Sequence, residues 1–195
     1  MIQGIPLATI LAVIVAAFYI MDFYFMHQYD HQRSDRGKGW AWDYTLLTLA
    51  LGMAVILQPI ALPGIGLSLD APLGFLLQAA GGLAVITCFV LHVWARQHLR
   101  HYYTERVEVQ DHHEVIDSGP YALVRHPIIL SFFLIAGGIF LINPAFTTLF
   151  VLVYAIRGFN NAAQLEEVML GKNVPGYIEY MKRVPRFIPN PWKSK

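Results

Sequence analysis

Four apolar runs long enough to cross a bilayer leave this chain few ways to fold. About 20 apolar residues span the hydrocarbon core as a helix. The runs Ile2 to Phe25, Tyr44 to Leu62, Pro72 to Ala95, and Ile128 to Leu141 extended back to about Ala122 meet that length. A fifth run, Ala145 to Phe159, is shorter and follows Asn143-Pro144, a pair that breaks helices and starts turns. The last two runs therefore read as a tight helical hairpin. Past Phe159 the helix is expected to leave the lipid and continue as a polar helix through Gln164, Glu166 and Glu167. The expected fold is all-α: a polytopic membrane bundle of about five transmembrane helices with a C-terminal cytoplasmic helix, in one domain over residues 1–195.

Composition agrees. Charged residues make up 14% of the chain and hydrophobic ones 56%, with mean hydropathy +0.47, whereas soluble domains are about a quarter charged. The N-terminal run has no Lys or Arg before it, which argues against a cleaved signal peptide and for a first membrane helix. A net charge of +1 gives no sign of nucleic-acid binding, and a single cysteine, Cys88, excludes an internal disulfide and a cysteine-based zinc site.

The 14 Lys and Arg fall into three groups: Arg33 to Lys38, Arg96 to Arg125, and Arg157 to Lys195. None lies between Pro63 and Ala71 or at Asn143-Pro144. With five spans all three groups share one face, so the positive-inside rule places them in the cytoplasm and the N-terminus outside. A four-span arrangement would split them.

The stretch HEVIDSGPYALVRHP, residues 113–127, gathers polar chemistry on that face. Gly119-Pro120 is a turn pair, and Pro127 suits the first turn of the next helix, where its missing N–H costs nothing. Arg125 and His126 then stand at a helix N-terminus, where free N–H groups favour an anion; alternatively, Arg125 snorkels to lipid headgroups. Glu166 and Glu167 read either as a solvated helix face or as a trap for an ammonium group or another cation. Tyr177, Tyr180 and Met181 form an apolar stripe that packs in a core or lies on the bilayer surface.

The ordered set His113-Glu114-Val115-Ile116, Gly119-Pro120-Tyr121, Arg125-His126-Pro127, Asn143-Pro144, Glu166-Glu167, Tyr177 with Tyr180, and Val184-Pro185-Arg186 resembles the isoprenylcysteine carboxyl methyltransferase family, which belongs with the phospholipid methyltransferases. The resemblance covers residues 113–186. It implies S-adenosylmethionine as cofactor and a lipophilic acceptor entering from the bilayer: a prenylated cysteine carboxylate, a lipid amine, or a small hydrophobic acid or thiol. By the same resemblance, the segment with His113, Val115 and Ile116 lines the adenine side, and Tyr121, His126, Glu166 and Glu167 hold the methionine end. Gly119 counts among the cofactor residues. Arg125 and Glu167 are the catalytic candidates, with Arg125 steadying either the methionine carboxylate or an anionic group of the acceptor. The sequence departs from the family pattern at Ile129, where a tyrosine is common, in NNAAQLEE before the glutamate pair, and at Asn173-Val174.

Eight histidines raise a rival reading, a di-iron oxidoreductase. His27 with His31, His98 with His101, and His112 with His113 are its candidates, but they are sparser than such sites require. A nicotinamide-dependent reductase is a further alternative, without a second cofactor motif to support it, and no metal is expected. His92, inside the third run, is a candidate for lining the acceptor's path, and Asp22 for reaching the membrane interface.

Overall fold

The computed structural model describes residues 1–29, 38–67, 69–99 and 115–189. Among these it is helical without a strand: α1 (Gly4–Tyr29), α2 (Lys38–Ala61), α3 (Ala71–Leu99), α4 (Pro127–Ile142), α5 (Phe146–Asn173) and α6 (Tyr177–Arg183), with short 3-10 turns at Pro63–Ile65 and Gly119–Ala122. The five apolar runs each become a helix. The backward extension of the fourth run to Ala122 does not hold. Ala122 ends the 3-10 turn, and α4 begins at Pro127 with His126 as its N-cap. Apolar composition made this stretch look helical, but Pro120 and Pro127 each remove a backbone donor and break the ladder. Arg96, which follows the third apolar run as it reads in the sequence, lies inside α3, which runs on to Leu99.

Among the described residues, two helical stretches are long and apolar enough to cross a membrane by themselves: Gly4–Phe25, with mean hydropathy 2.3, and Ala71–Leu99, with 2.0. The apolar part of α2 (Leu46–Ala61) and α4 (Pro127–Ile142) are shorter. At 1.5 Å per residue, the 16 residues of α4 span about 24 Å. Large apolar side chains cover the outer surface, with Ile20, Leu83 and Phe146 at least 65% exposed. So extensive an apolar exterior suits lipid rather than water.

The closest packing joins α3 to α4, where two glycines set the distance. A Cβ on Gly81 would stand 2.6 Å from the Gly138 carbonyl oxygen, and one on Gly138 would stand 2.9 Å from that of Gly81. Small residues permit such backbone approach between membrane helices, where dispersion replaces the hydrophobic effect. Leu11, Phe18, Val55, Val85, Cys88, Ile135 and Ile139 form the core between the helices. At the end where α4 turns into α5, the Leu67 amide donates to the Pro144 oxygen (2.8 Å) and Asn143 to Gln58 Oε1 (2.6 Å). Thr148 Oγ1 accepts from the Ala145 amide and donates to the Asn143 oxygen. The break at Asn143-Pro144 thus keeps its polar groups paired, as a dry environment demands.

Gly81→Ala or Gly138→Ala should force α3 and α4 apart and cost about 1–3 kcal/mol. Thermal unfolding in detergent should show a lowered midpoint for each, while Gly82→Ala, where a Cβ meets nothing within 4 Å, serves as the neutral comparison. Equal midpoints for all three would contradict the close contact.

Candidate functional site

The site is assembled where the start of α4, the polar half of α5 and the tail after α6 converge. The 3-10 turn Gly119–Ala122 leads into it. Gly119 has φ +57, and a Cβ there would fall 2.3 Å from the His98 ring of α3, so both conformation and space call for glycine. The turn buries Tyr121, whose carbonyl accepts the Tyr180 hydroxyl at 2.7 Å. Tyr177 and Tyr180 are themselves buried against Leu170, Val174 and Val184, with Val115 packed alongside. The tyrosine stripe of α6 is thus core packing rather than a bilayer-facing surface. Burial pushes both phenols above their ordinary value.

Residues 184–187 run beside the start of α4: the Arg125 amide donates to the Pro185 oxygen at 2.9 Å and the His126 amide to the Arg186 oxygen at 3.3 Å. This pairing delivers three cations to one carboxylate. Arg125 donates to Glu167 Oε1 through Nε at 3.0 Å, with Nη2 at 2.9 Å. Its Nη1 donates to the Met181 and Val184 oxygens, at 2.8 and 2.6 Å, closing the C-terminal end of α6. Arg186 grips Glu167 in two-pronged fashion, Nε to Oε1 at 3.0 Å and Nη2 to Oε2 at 2.5 Å, and reaches Asn160 at 3.4 Å. His126 Nε2 stands 3.0 Å from Glu167 Oε1 and its Nδ1 3.3 Å from Glu166 Oε2. The anion expected beside this helix start is therefore supplied by the chain itself.

The electrostatics follow from these contacts. Burial alone would lower the His126 pKa, but hydrogen bonds to Glu166 and Glu167 outweigh it and raise it above the ordinary 6.5. An imidazole between two carboxylates donates from both nitrogens and is held protonated. Burial would raise Glu167, but hydrogen bonds from His126, Arg186 and Arg125 hold it well below the usual carboxylate range. Three cations thus face two carboxylates, which leaves one positive charge in excess. Glu167 is spent on internal partners. Glu166 is 40% exposed and touches His126 with one oxygen, and Arg186 is 30% exposed.

Of the residues singled out in the sequence, Arg125, His126, Glu166 and Glu167 meet in one cluster. Tyr121 joins it through Tyr180, Val115 through α6, and Gly119 through the turn. Ile116 is half-buried beside Val115. His113 lies outside the described residues, as do His31, His101 and His112. His27 is exposed and stacks on Phe23, and His98 bonds the Trp94 oxygen. Among the described residues no three His, Cys, Asp or Glu side chains converge as metal ligands. Arg186 is the member of the cluster that residue-by-residue reading passed over. Its signal lay in Val184-Pro185-Arg186, without a local partner to give it meaning.

Residues 81–172, from the middle of α3 to the end of α5, match the family model described as Isoprenylcysteine carboxyl methyltransferase (ICMT) family. No curated protein matches the chain. Among solved structures the chain is similar to one described as the eukaryotic intramembrane Ras methyltransferase ICMT, with a TM-score of 0.71 and 21% identity. That match covers 95% of this chain and 67% of the other, and at such identity it establishes a shared fold.

Two outcomes test the cluster. Glu167→Ala would leave Arg125 and His126 buried without their counter-charge and should cost about 3 kcal/mol or more, read from detergent unfolding. Because the folded His126 pKa is raised, its stabilisation is complete below 6.5 and fades as pH climbs through the raised value. Unfolding midpoints between about pH 6 and 9 should therefore fall more steeply for the parent than for His126→Gln. Parallel curves would contradict the protonated bridge.

Proposed function

From the premise that the chain belongs to the isoprenylcysteine carboxyl methyltransferase family, we propose that it transfers a methyl group from S-adenosylmethionine to the carboxylate of a prenylated cysteine. The observation that carries this reading is the charge imbalance around Glu167. Arg125, Arg186 and a protonated His126 exceed the two glutamates by one charge, at the edge where Arg186 and Glu166 reach the surface.

Those residues fit a ligand with a carboxylate and an ammonium side by side. Arg186 and the excess positive charge suit the methionine carboxylate. Glu166, the carboxylate with spare acceptor capacity, suits the ammonium, which is costly to bury unpaired. Glu167 serves by holding Arg125, Arg186 and His126 in place. Val115 and Ile116 offer apolar surface for the adenine side, with Gly119 and Tyr121 shaping the turn beneath. Arg125 is assigned to orient the acceptor carboxylate through the one Nη2 N–H that Glu167, Met181 and Val184 leave uncommitted. S-adenosylmethionine, when bound, supplies a methyl carbon already activated by its sulfonium.

Transfer to a carboxylate forms one C–O bond and breaks one C–S bond, and no proton is released. The residues present agree with that chemistry. His126 is held protonated and Glu167 is pinned as an ion, so neither is available as a base, and positioning with electrostatics supplies the catalysis. An amine acceptor would need a group to take its proton. We assign residues 1–195 to one domain that crosses the membrane five times, with the N-terminus outside and the cluster cytoplasmic. The lipophilic acceptor then enters from the bilayer and the cofactor from the cytoplasm.

The experiment is a transfer assay with methyl-labelled S-adenosylmethionine and S-farnesylated N-acetylcysteine, in vesicles carrying the purified chain. A base-labile methyl ester is expected, and Arg125→Gln should lower kcat/KM at least about tenfold, the scale of one charged hydrogen bond. Saturable cofactor binding without labelled ester would exclude this acceptor.

A further inference from the structure

A second polar cluster lies inside the bundle, and the chemistry above assigns it no part. Asp22 comes from α1, His92 and Arg96 stand one turn apart on α3, and Ser131 lies just past the first turn of α4. His92 and Ser131 are fully buried and Arg96 is 1% exposed. Phe18, Phe25 and Phe132 surround the His92 ring, with centroids 5.3, 6.4 and 5.8 Å away. Arg96 donates through Nη2 to Asp22 Oδ1 and through Nε to His92 Nε2, the latter at 3.1 Å; Asp22 Oδ1 also lies 3.2 Å from that nitrogen. A guanidinium only donates, so Nε2 accepts and the ring proton belongs on Nδ1. Nδ1 then donates to Ser131 Oγ at 2.8 Å, and the Ser131 hydroxyl donates to the Ile128 oxygen at 2.6 Å. The bonds run in one sense from α3 into the backbone of α4, two residues past His126.

Ionisable groups at membrane depth are costly, and apolar residues of like volume hold helices together without them. What apolar packing lacks is direction. The bonds around Glu167 tie the start of α4 to α5 and to the tail; the Asp22–Arg96–His92–Ser131 chain ties the same turn to α1 and α3. We propose that His92 and Ser131 are positioning residues, which set where Arg125 meets an acceptor arriving between the helices. This rests on the methyltransferase reading above. The two attachments separate by effect: cofactor grip depends on the Glu167 knot, and acceptor alignment on the His92–Ser131 link.

Ser131→Ala and His92→Gln both cut the link into α4, the second while leaving an acceptor for Arg96. Ser131→Thr keeps the hydroxyl, and His92→Asn keeps a donor where Nδ1 stands. Calorimetry with S-adenosylhomocysteine counts intact sites, and turnover of the farnesylated cysteine is then read per site. Ser131→Ala and His92→Gln should bind S-adenosylhomocysteine within about twofold of the parent yet turn over at least about tenfold more slowly, a scale that a sub-ångström misalignment reaches. The conservative partners should recover most of the loss. Turnover per site within twofold of the parent, or affinity falling in step with turnover, overturns the positioning role. If Ser131→Ala does not fold, His92→Gln against His92→Asn decides the same question. A parent that binds S-adenosylhomocysteine but turns nothing over defeats the functional reading, and this proposal with it.

Discussion

Glu167 cannot be buried alone. A carboxylate with 8% of its side chain exposed needs partners that approach from outside its own helix, and here they come from two other places in the chain. Arg125 and His126 arrive on the turn before α4, and Arg186 on the tail after α6. Each brings backbone bonds with it, so the start of α4, the end of α6 and the tail are registered together by one side chain. That registration exposes Glu166 and Arg186 on the same edge. The positive excess that suits a carboxylate-bearing ligand is thus a by-product of satisfying one buried anion. Electrostatic stabilisation of this kind needs no reorganisation at the moment of reaction.

The membrane half of the molecule obeys the complementary constraint, that every polar group away from water must be paired. Asn143-Pro144 is tolerated because Gln58, Leu67 and Thr148 take up its exposed groups. Arg96 and His92 are tolerated because their partners form a directed chain ending on the Ile128 oxygen. Apolar packing between Gly81 and Gly138 brings α3 and α4 close enough for that chain to close. Fold and site meet in the first turns of α4, which are tied from both sides.

Local chemistry in the sequence foretold much of this. Pro127 as a helix start and Asn143-Pro144 as a break follow from the proline ring alone. The continuation of α5 through Glu167 agrees with the absence of proline between Pro144 and Glu167. Ala122 went wrong because an apolar residue between two prolines suits a 3-10 turn as well as a helix. Arg96 fell outside the third run because a charge usually ends a membrane run; its neutralising partner, Asp22, is 74 positions away. That Arg125 and Glu167, 42 positions apart, share one site was implied by family resemblance; their direct ion pair was not, since no local periodicity carries it. Arg186 needed the three-dimensional pairing of the tail with α4 before its role was visible.

The proposed role of the cluster is to hold a zwitterionic cofactor through charges that Glu167 organises. Titration of S-adenosylhomocysteine into the detergent-purified chain, alongside Glu167→Ala and His126→Ala, tests this most directly. Saturable binding at one site per chain is expected, with affinity falling at least about tenfold in each variant as the cationic edge loses its anchor. No binding by an intact parent, or unchanged affinity in both variants, would contradict it.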